Sequence, residues 1–479
     1  MKVCIVASEM VPYAKTGGLA DVTGALGREL ASRGHEVRAF VPFHDPIRQS
    51  VSDVAPIAQA SAVRIPVGTR SYEFSLLEHR TRTPGLTLYF VHCPELFSHR
   101  ALYTQDADEH RRYILFTRAA IESCQRMGFA PDVMHCNDWH TGFLPLYLKS
   151  VYAWDRLFAG IRTILTVHNI GYQGEFSAAQ VEDLGLGPAR ALLHQDDLRA
   201  GRINALKTGI LFADALTTVS PTYAVEIRTT ALGMGMQQAL ALRAGALTGI
   251  LNGVDYEQWD PRVDPWLSHH FHLADLRGKM SNKRRLIERC GLRTDIEMPL
   301  VSMISRLAGQ KGIDLLFESL PALLQERTFG MAILGSGESR YVRFFEQLAT
   351  RFPERVSFSQ GHDEGLAHLI EAGSDAFLMP SRYEPCGLNQ MYSLRYGMIP
   401  IVRRTGGLAD TVQHADPIAG TGTGVVFNDY DAPAVRWAVN TALDWYADKR
   451  LWRRIMRNAM VQDFSWKRQV QEYERVYRG

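Results

Sequence analysis

Residues 375–392 read DAFLMPSRYEPCGLNQMY. The opening apolar run, 375–379, has the length and composition of a short buried strand of a parallel sheet, and a turn carries the chain from it into a helix. Glu384 sits on that turn, at the sheet edge where open α/β folds bind ligands. Pro385 stiffens the turn and Gly387 lets backbone approach a ligand closely. Taken alone, Glu384 is an ordinary acid favoured by a helix dipole. The rest of the chain gives it a larger role.

Strand-like and helix-like runs alternate on both sides of this segment. Residues 3–7 form a strand pattern, 19–33 a helical one and 36–41 a strand again, with Gly34 as the helix stop. Further strands are expected at 86–92, 133–136, 162–167 and 215–219. After Gly253 the alternation starts afresh, with strands at 300–304, 330–334, 356–359, 376–379 and 399–402. Two such series imply an α/β protein of two facing, Rossmann-like, doubly wound domains with a cleft between them. The expected division is 1–245, 246–458 and a terminal segment 459–479 that packs back on the first domain. The helix 466–477 in that segment carries an apolar stripe at Trp466, Val470, Tyr473 and Tyr477, suited to core packing.

Two glycine turns share one hexapeptide. TGGLAD occurs at 16–21, after Lys15, and again at 405–410, each between a strand and a helix. Gly17 and Gly18, and Gly406 and Gly407 after Thr405, would let a phosphate reach aimed backbone N–H groups. Neither turn is GxxxxGK[ST] or GxGxxG, so the standard nucleotide fingerprints do not apply. Arg306 and Lys311, on a loop and helix start where cations oppose the dipole, are read as clamps for a diphosphate and its departing charge. His140 in DWH and His168-Asn169 in TVHN end first-domain strands, which favours a ligand role over plain core imidazoles. Ligand spacing for zinc is lacking, and Ser220 is not in GxSxG, so neither a metal nor a triad is expected.

The remaining composition excludes classes rather than choosing one. With 479 residues the chain exceeds a single core, and a net charge of +2 argues against nucleic acid or an anionic membrane as the main partner. Six scattered cysteines with no CxxC pair read as reduced thiols. No signal peptide and no membrane-spanning apolar run are apparent, so a cytoplasmic location is expected.

Together the motifs resemble those of bacterial glycogen synthases and plant starch synthases, the retaining α-1,4-glucan glucosyltransferases. Matching segments are KTGGLADV, DWHTG, TVHNIGYQG, TVSPTYAVEI, GILNGVD, ISRLAGQKG, SRYEPCGLNQ and RRTGGLADTV, in order from Met1 to the closing FSW. The resemblance implies a two-Rossmann GT-B fold, no cofactor, ADP-glucose as donor and glycogen as acceptor. It implies that Lys15 and Gly18 contact the donor diphosphate and Asp21 the nucleoside side. Arg306 and Lys311 would be phosphate clamps and Glu384 the essential carboxylate, flanked by Cys386, Gly387 and Leu388. His140 would bond the glucosyl hydroxymethyl, Asn252 would lie near the sugar, and the backbone at Gly406 and Gly407 would complete the diphosphate cradle.

Three departures are visible. His362 stands where the family commonly places an adenine-stacking tyrosine. Tyr392 occupies the position of the second glutamate of related EX7E transferases, as in the starch-synthase branch. Residues 101–108 are shorter than the usual first-domain insertion. UDP-glucose as donor, or a small sugar or sugar-phosphate acceptor, is the alternative activity. An inactive glucan-binding homologue is the non-enzymatic one, and phosphorolysis with pyridoxal phosphate would need a suitably placed lysine that nothing marks.

Overall fold

The computed structural model describes residues 1–479. Eighteen strands occur in chain order: β1 Lys2–Val6, β2 Glu36–Pro42, β3 Ala55–Pro56, β4 Val63–Val67, β5 Arg70–Arg80, β6 Leu86–His92, β7 Val133–Asn137, β8 Arg162–Val167, β9 Glu175–Ser177, β10 Arg202–Asn204, β11 Ala215–Thr218, β12 Leu247–Gly249, β13 Leu300–Leu307, β14 Gly330–Gly337, β15 Val356–Gln360, β16 Ala376–Met379, β17 Ile399–Arg403 and β18 Val425–Phe427. The chain forms two compact units, Met1–Gly253 with Trp466–Gly479, and Val254–Ser465.

The first unit is built on one sheet of order β12-β11-β8-β7-β1-β2-β6-β5-β3, with β4 paired to β5. From β12 to β6 all neighbours run parallel. Successive strands step outward in one direction from β1 through β2 to β6, and in the other from β7 through β8 and β11 to β12. The order therefore reverses between β1 and β7, which is where a doubly wound sheet opens a crevice for ligands. β7 is buried along its whole length, as a parallel strand covered on both faces must be. Beyond β6 the sheet continues antiparallel through β5, β4 and β3. These strands were not foreseen because Pro66 demotes β4, a run that otherwise alternates as a half-buried strand does.

The second unit is a six-stranded parallel sheet of order β15-β14-β13-β16-β17-β18. Its order reverses between β13 and β16. The segment quoted first above thus lies beside the switch point, with the helix Asn389–Tyr396 following it.

The division falls later than expected at both crossings. Residues 247–249 add strand β12 to the first sheet, so the first unit runs on to Gly253 rather than 245. Residues 459–465 stay with the second unit because the helix Lys449–Met460 extends past 458. The terminal helix Trp466–Arg478 belongs to the first unit. There the Tyr477 hydroxyl lies 2.7 Å from Nδ1 of buried His135, and Val470 and Tyr473 are fully buried. No helix is long and apolar enough to cross a membrane.

Glu474 fastens this terminal helix. Arg33 donates to it from Nε and Nη2 at 2.9 and 3.0 Å, and His35 Nε2 lies 2.9 Å away. The Arg33 bonds, seconded by His35, hold the Glu474 carboxyl down at about 2. A depressed carboxylate stabilises the fold above its unfolded pKa, about 4.3, and loses that contribution as pH falls towards the folded value. The Glu474→Gln variant should therefore melt below the wild type at pH 6, with the gap closing between about pH 4.3 and 2. Thermal melts across that range check it, and a gap independent of pH would refute the anchor.

Candidate active site

In the second unit, the loops after β13 and β16 meet at the switch point. Gly312, with φ +71°, ends the short turn Gly309–Lys311; a Cβ there would stand 1.9 Å from the Pro380 carbonyl oxygen. That close approach carries the Lys311 side chain to Glu384. Lys311 Nζ donates to Glu384 Oε2 at 2.7 Å, and Ser381 Oγ donates to the same oxygen at 3.0 Å. Glu384 is only 5% exposed. The pairing offsets the cost of withdrawing this side chain from water.

The second TGGLAD turn clamps this loop from outside. Gly407 N–H donates to the carbonyls of Glu384 and Pro385 at 3.1 and 3.2 Å. A Cβ on Gly406, where φ is +43°, would lie 1.9 Å from the Glu384 carbonyl oxygen, and one on Gly407 would lie 2.2 Å from that of Cys386. Gln390 Nε2 completes the clamp, donating to the Cys386 and Gly387 carbonyls and to Thr411. Thr405, Gly406 and Gly407 are buried. The Gly407 amide is therefore engaged in shaping the Glu384 turn, and this corrects the expectation that it is free to cradle a diphosphate.

The first TGGLAD turn is different. Gly17 has an extended backbone, φ −157°, and its nearest obstacle to a Cβ is Glu9 at 4.0 Å. Gly18 is exposed and opens the helix Gly18–Ser32, so the helix N-terminus is accessible. Lys15 Nζ donates to Asp21 at 2.8 Å across this turn. Glu9, which the sequence did not mark, holds the loop by accepting from Thr16 N–H and, at 2.9 Å, from Thr16 Oγ1. Burial pushes its carboxyl up to about 7.

The β7 and β8 loops of the same unit place the histidines. Asp138 takes a strained φ of +54° and accepts from the His168 and Asn169 amides at 2.7 and 3.4 Å, so the two loops are stitched together. His140 is boxed by aromatic rings, stacked on Tyr103 at 4.8 Å and flanked by Trp139 and Tyr113. Its Nδ1 lies 3.3 Å from Ser8 Oγ, from the loop after β1. Burial, then the Arg112 charge, holds its pKa well below the usual range, so the ring is a neutral hydrogen-bonding group and not an acid. His168 Nε2 is fixed by Asn137 Oδ1 at 2.9 Å, and burial takes its pKa to about 3. Asn252 is buried and its Oδ1 has no partner, an acceptor without a donor inside the protein.

Other expected residues stand apart. Arg306 is exposed within β13 rather than on a loop, and Lys311 closes a short 3₁₀ turn that runs through Gly312 into Ile313–Leu315 and the helix Leu316–Glu326. His362 follows the edge strand β15, two strands from β13, with its side chain 83% exposed and 3.2 Å from Glu364. Tyr392 faces a core: it stacks on Trp259 at 4.0 Å, and Trp259 stacks on His368 at 3.8 Å. Ser8, Glu9, Tyr103, Asp138 and Ser381 complete the two sites; Asp138, Tyr103 and Ser381 lie in segments the sequence had singled out, but Ser8 and Glu9 do not. A polar pair directly after the first strand, Ser8-Glu9, was the available signal.

Known proteins resemble this chain from end to end. The chain is 44% identical over 483 aligned positions to a glycogen synthase of Anaeromyxobacter dehalogenans, covering 100% of this chain and 99% of the relative. Residues 2–242 match the starch synthase catalytic domain model, and residues 289–459 the model of glycosyl transferases group 1. The chain belongs to the glycogen and starch synthase family. A glycogen synthase of Streptococcus gordonii is 39% identical with full coverage of both chains. Among solved structures, the catalytic domain of starch synthase IV from Arabidopsis thaliana, bound to ADP and acarbose, superposes with a TM-score of 0.91 at 34% identity, covering 100% of this chain and 98% of that one. This family member is thus a glycosyltransferase with the GT-B fold.

The two identical hexapeptides should respond oppositely to one extra methyl group. Gly406→Ala, strained in φ and clashing with the Glu384 carbonyl, should cost 2 kcal/mol or more, on the order of other overpacking and backbone penalties. Gly17→Ala should stay within about 0.5 kcal/mol. Chemical denaturation of both variants checks this, and equal losses would contradict the asymmetry.

Proposed function

We propose that this protein is a cytoplasmic glycogen synthase that transfers glucose from ADP-glucose to the non-reducing end of an α-1,4-glucan with retention of configuration. The observation that carries the reading is the buried Glu384–Lys311 pair at the switch point of the second unit. A retaining transfer develops positive charge at the anomeric carbon while a diphosphate leaves. Glu384 supplies negative charge on one side of that event. Lys311 has three donors, so it can hold Glu384 and a phosphate oxygen together. Arg306, exposed on the neighbouring strand, adds a planar fork suited to the same leaving group.

In the first unit, Lys15 and the accessible amides at Gly17 and Gly18 are assigned to the donor diphosphate, and Asp21 to the nucleoside. Neutral His140 is assigned to the glucosyl hydroxymethyl, where a charged imidazole is not needed. His168, Asn169 and the unpartnered Asn252 Oδ1 are assigned to sugar hydroxyls. Support comes from the Arabidopsis relative, whose structure holds ADP together with acarbose. His362, exposed and paired with Glu364, gives the base no enclosed stacking surface, so UDP-glucose is the donor to compete against ADP-glucose.

Incubation with labelled ADP-glucose and glycogen should elongate the glucan, and an excess of unlabelled UDP-glucose should dilute the signal little. Release of ADP without elongation would remove the synthase assignment. Glu384→Gln should lower kcat by about a hundred- to a thousandfold, the scale of losing one preorganised electrostatic group. Unchanged turnover would sink the role given to this carboxylate.

A further inference from the structure

A cavity of about 630 Å³ opens within the second unit, walled by Asp260, Arg262, Arg395 and Arg457 together with the apolar Leu273 and Met460. It is separate from Glu384. Arg395 occupies the last turn of the helix Asn389–Tyr396, and that helix leaves the Glu384 loop at its other end, about 10 Å away at 1.5 Å per residue. The cavity is large enough for a small metabolite.

Its charge is unbalanced. Asp260 is buried and already doubly paired: Arg262 reaches it from Nε and Nη2 at 3.0 and 2.6 Å, and Arg395 from Nη2 at 2.5 Å. The Arg395 guanidinium also lies over the Tyr256 ring, 4.5 Å from its centroid, which fixes its plane. That network accounts for Arg262 and Arg395 as structural groups. It does not account for Arg457, which comes from a different element, the helix Lys449–Met460. The helix sequence KRLWRRIMRNAM holds five cations and no acid, and Lys449 alone reaches a carboxylate, Glu297 at 3.9 Å. Three guanidiniums and one saturated carboxylate leave an excess of positive charge facing the cavity, beside an apolar wall.

We propose that this cavity is a binding site for a small phosphorylated metabolite. Its phosphate is held by Arg457 and the outward N–H groups of Arg262 and Arg395, and its carbon skeleton lies against Leu273 and Met460. Guanidinium forks match carboxylate and phosphate alike in shape, and the excess of positive charge from three of them favours a phosphate dianion over a singly charged carboxylate.

Isothermal titration of the full chain with ribose 5-phosphate, with inorganic phosphate and with uncharged ribose tests this. Ribose 5-phosphate should bind the wild type more tightly than inorganic phosphate does, and ribose should not bind. Arg457→Glu should weaken ribose 5-phosphate at least tenfold, whereas Arg306→Ala should leave it unchanged. Arg457 is exposed, so the variant should fold, and circular dichroism verifies that it does. Absence of binding to the wild type, equal binding to Arg457→Glu, or loss in Arg306→Ala would each overturn the proposal. Inorganic phosphate binding as tightly as ribose 5-phosphate would overturn the assignment to a phosphorylated metabolite.

Discussion

A carboxyl group taken out of water needs hydrogen-bond donors or a cation beside it, and the second unit is organised around one that has both. Glu384 is buried, and Lys311 meets it at 2.7 Å with Ser381 as a second donor. The contact requires backbone to pass where no side chain fits: Gly312 beneath the Pro380 carbonyl, Gly406 against the Glu384 carbonyl, Gly407 against that of Cys386. It also requires β13 and β16 to be neighbours although β14 and β15 intervene in sequence. Sheet order, glycine placement and ion pair are therefore one constraint seen at three scales. Truncating Lys311 would leave the charge with a single hydroxyl donor, a loss of about 1.5–3 kcal/mol for a bond to a charged group.

The first unit uses the same kind of sheet reversal for a different surface. Around its switch point lie an accessible helix N-terminus and a neutral imidazole held in an aromatic box. Two carboxyls, Glu9 and Asp138, are each raised to about 7 by burial and tie loops together. The neutral imidazole and its fixed neighbours suit sugar hydroxyls, whereas Lys15 with the amides at Gly17 and Gly18, like the cations of the second unit, suits phosphate. The division of labour follows from which loops the two sheets bring together.

Much of this was legible in the sequence because parallel strands buried on both faces read as unbroken apolar runs. The strand 376–379 is of this kind, 133–136 carries His135 among apolar neighbours, and both lie at switch points. The antiparallel strands β4 and β5 were missed although both alternate buried and exposed residues, because Pro66 interrupts β4 and neither shows the continuous apolar run of the parallel strands. Glu384, His140 and Lys311 stood out through motif context. Glu9 did not, because its importance comes from Thr16 folding back on it, a contact no spacing rule encodes. The repeated TGGLAD misled in one respect. Identical letters suggested identical phosphate turns, but the second copy is packed against the Glu384 loop and its Gly407 amide is already bonded. For His362 and Tyr392, only the packing shows that one is exposed beside the edge strand and the other stacked into a core on Trp259.

In the proposed reaction Lys311 and Glu384 work as one unit. A double-mutant cycle on single-turnover glucosyl transfer, comparing Lys311→Ala, Glu384→Gln and the combined variant, tests it most directly. The combined variant should lose little beyond the worse single change, with a coupling energy above about 1 kcal/mol. Losses that simply add would show two independent residues, and the constraint on which the second unit is built would not be the one described.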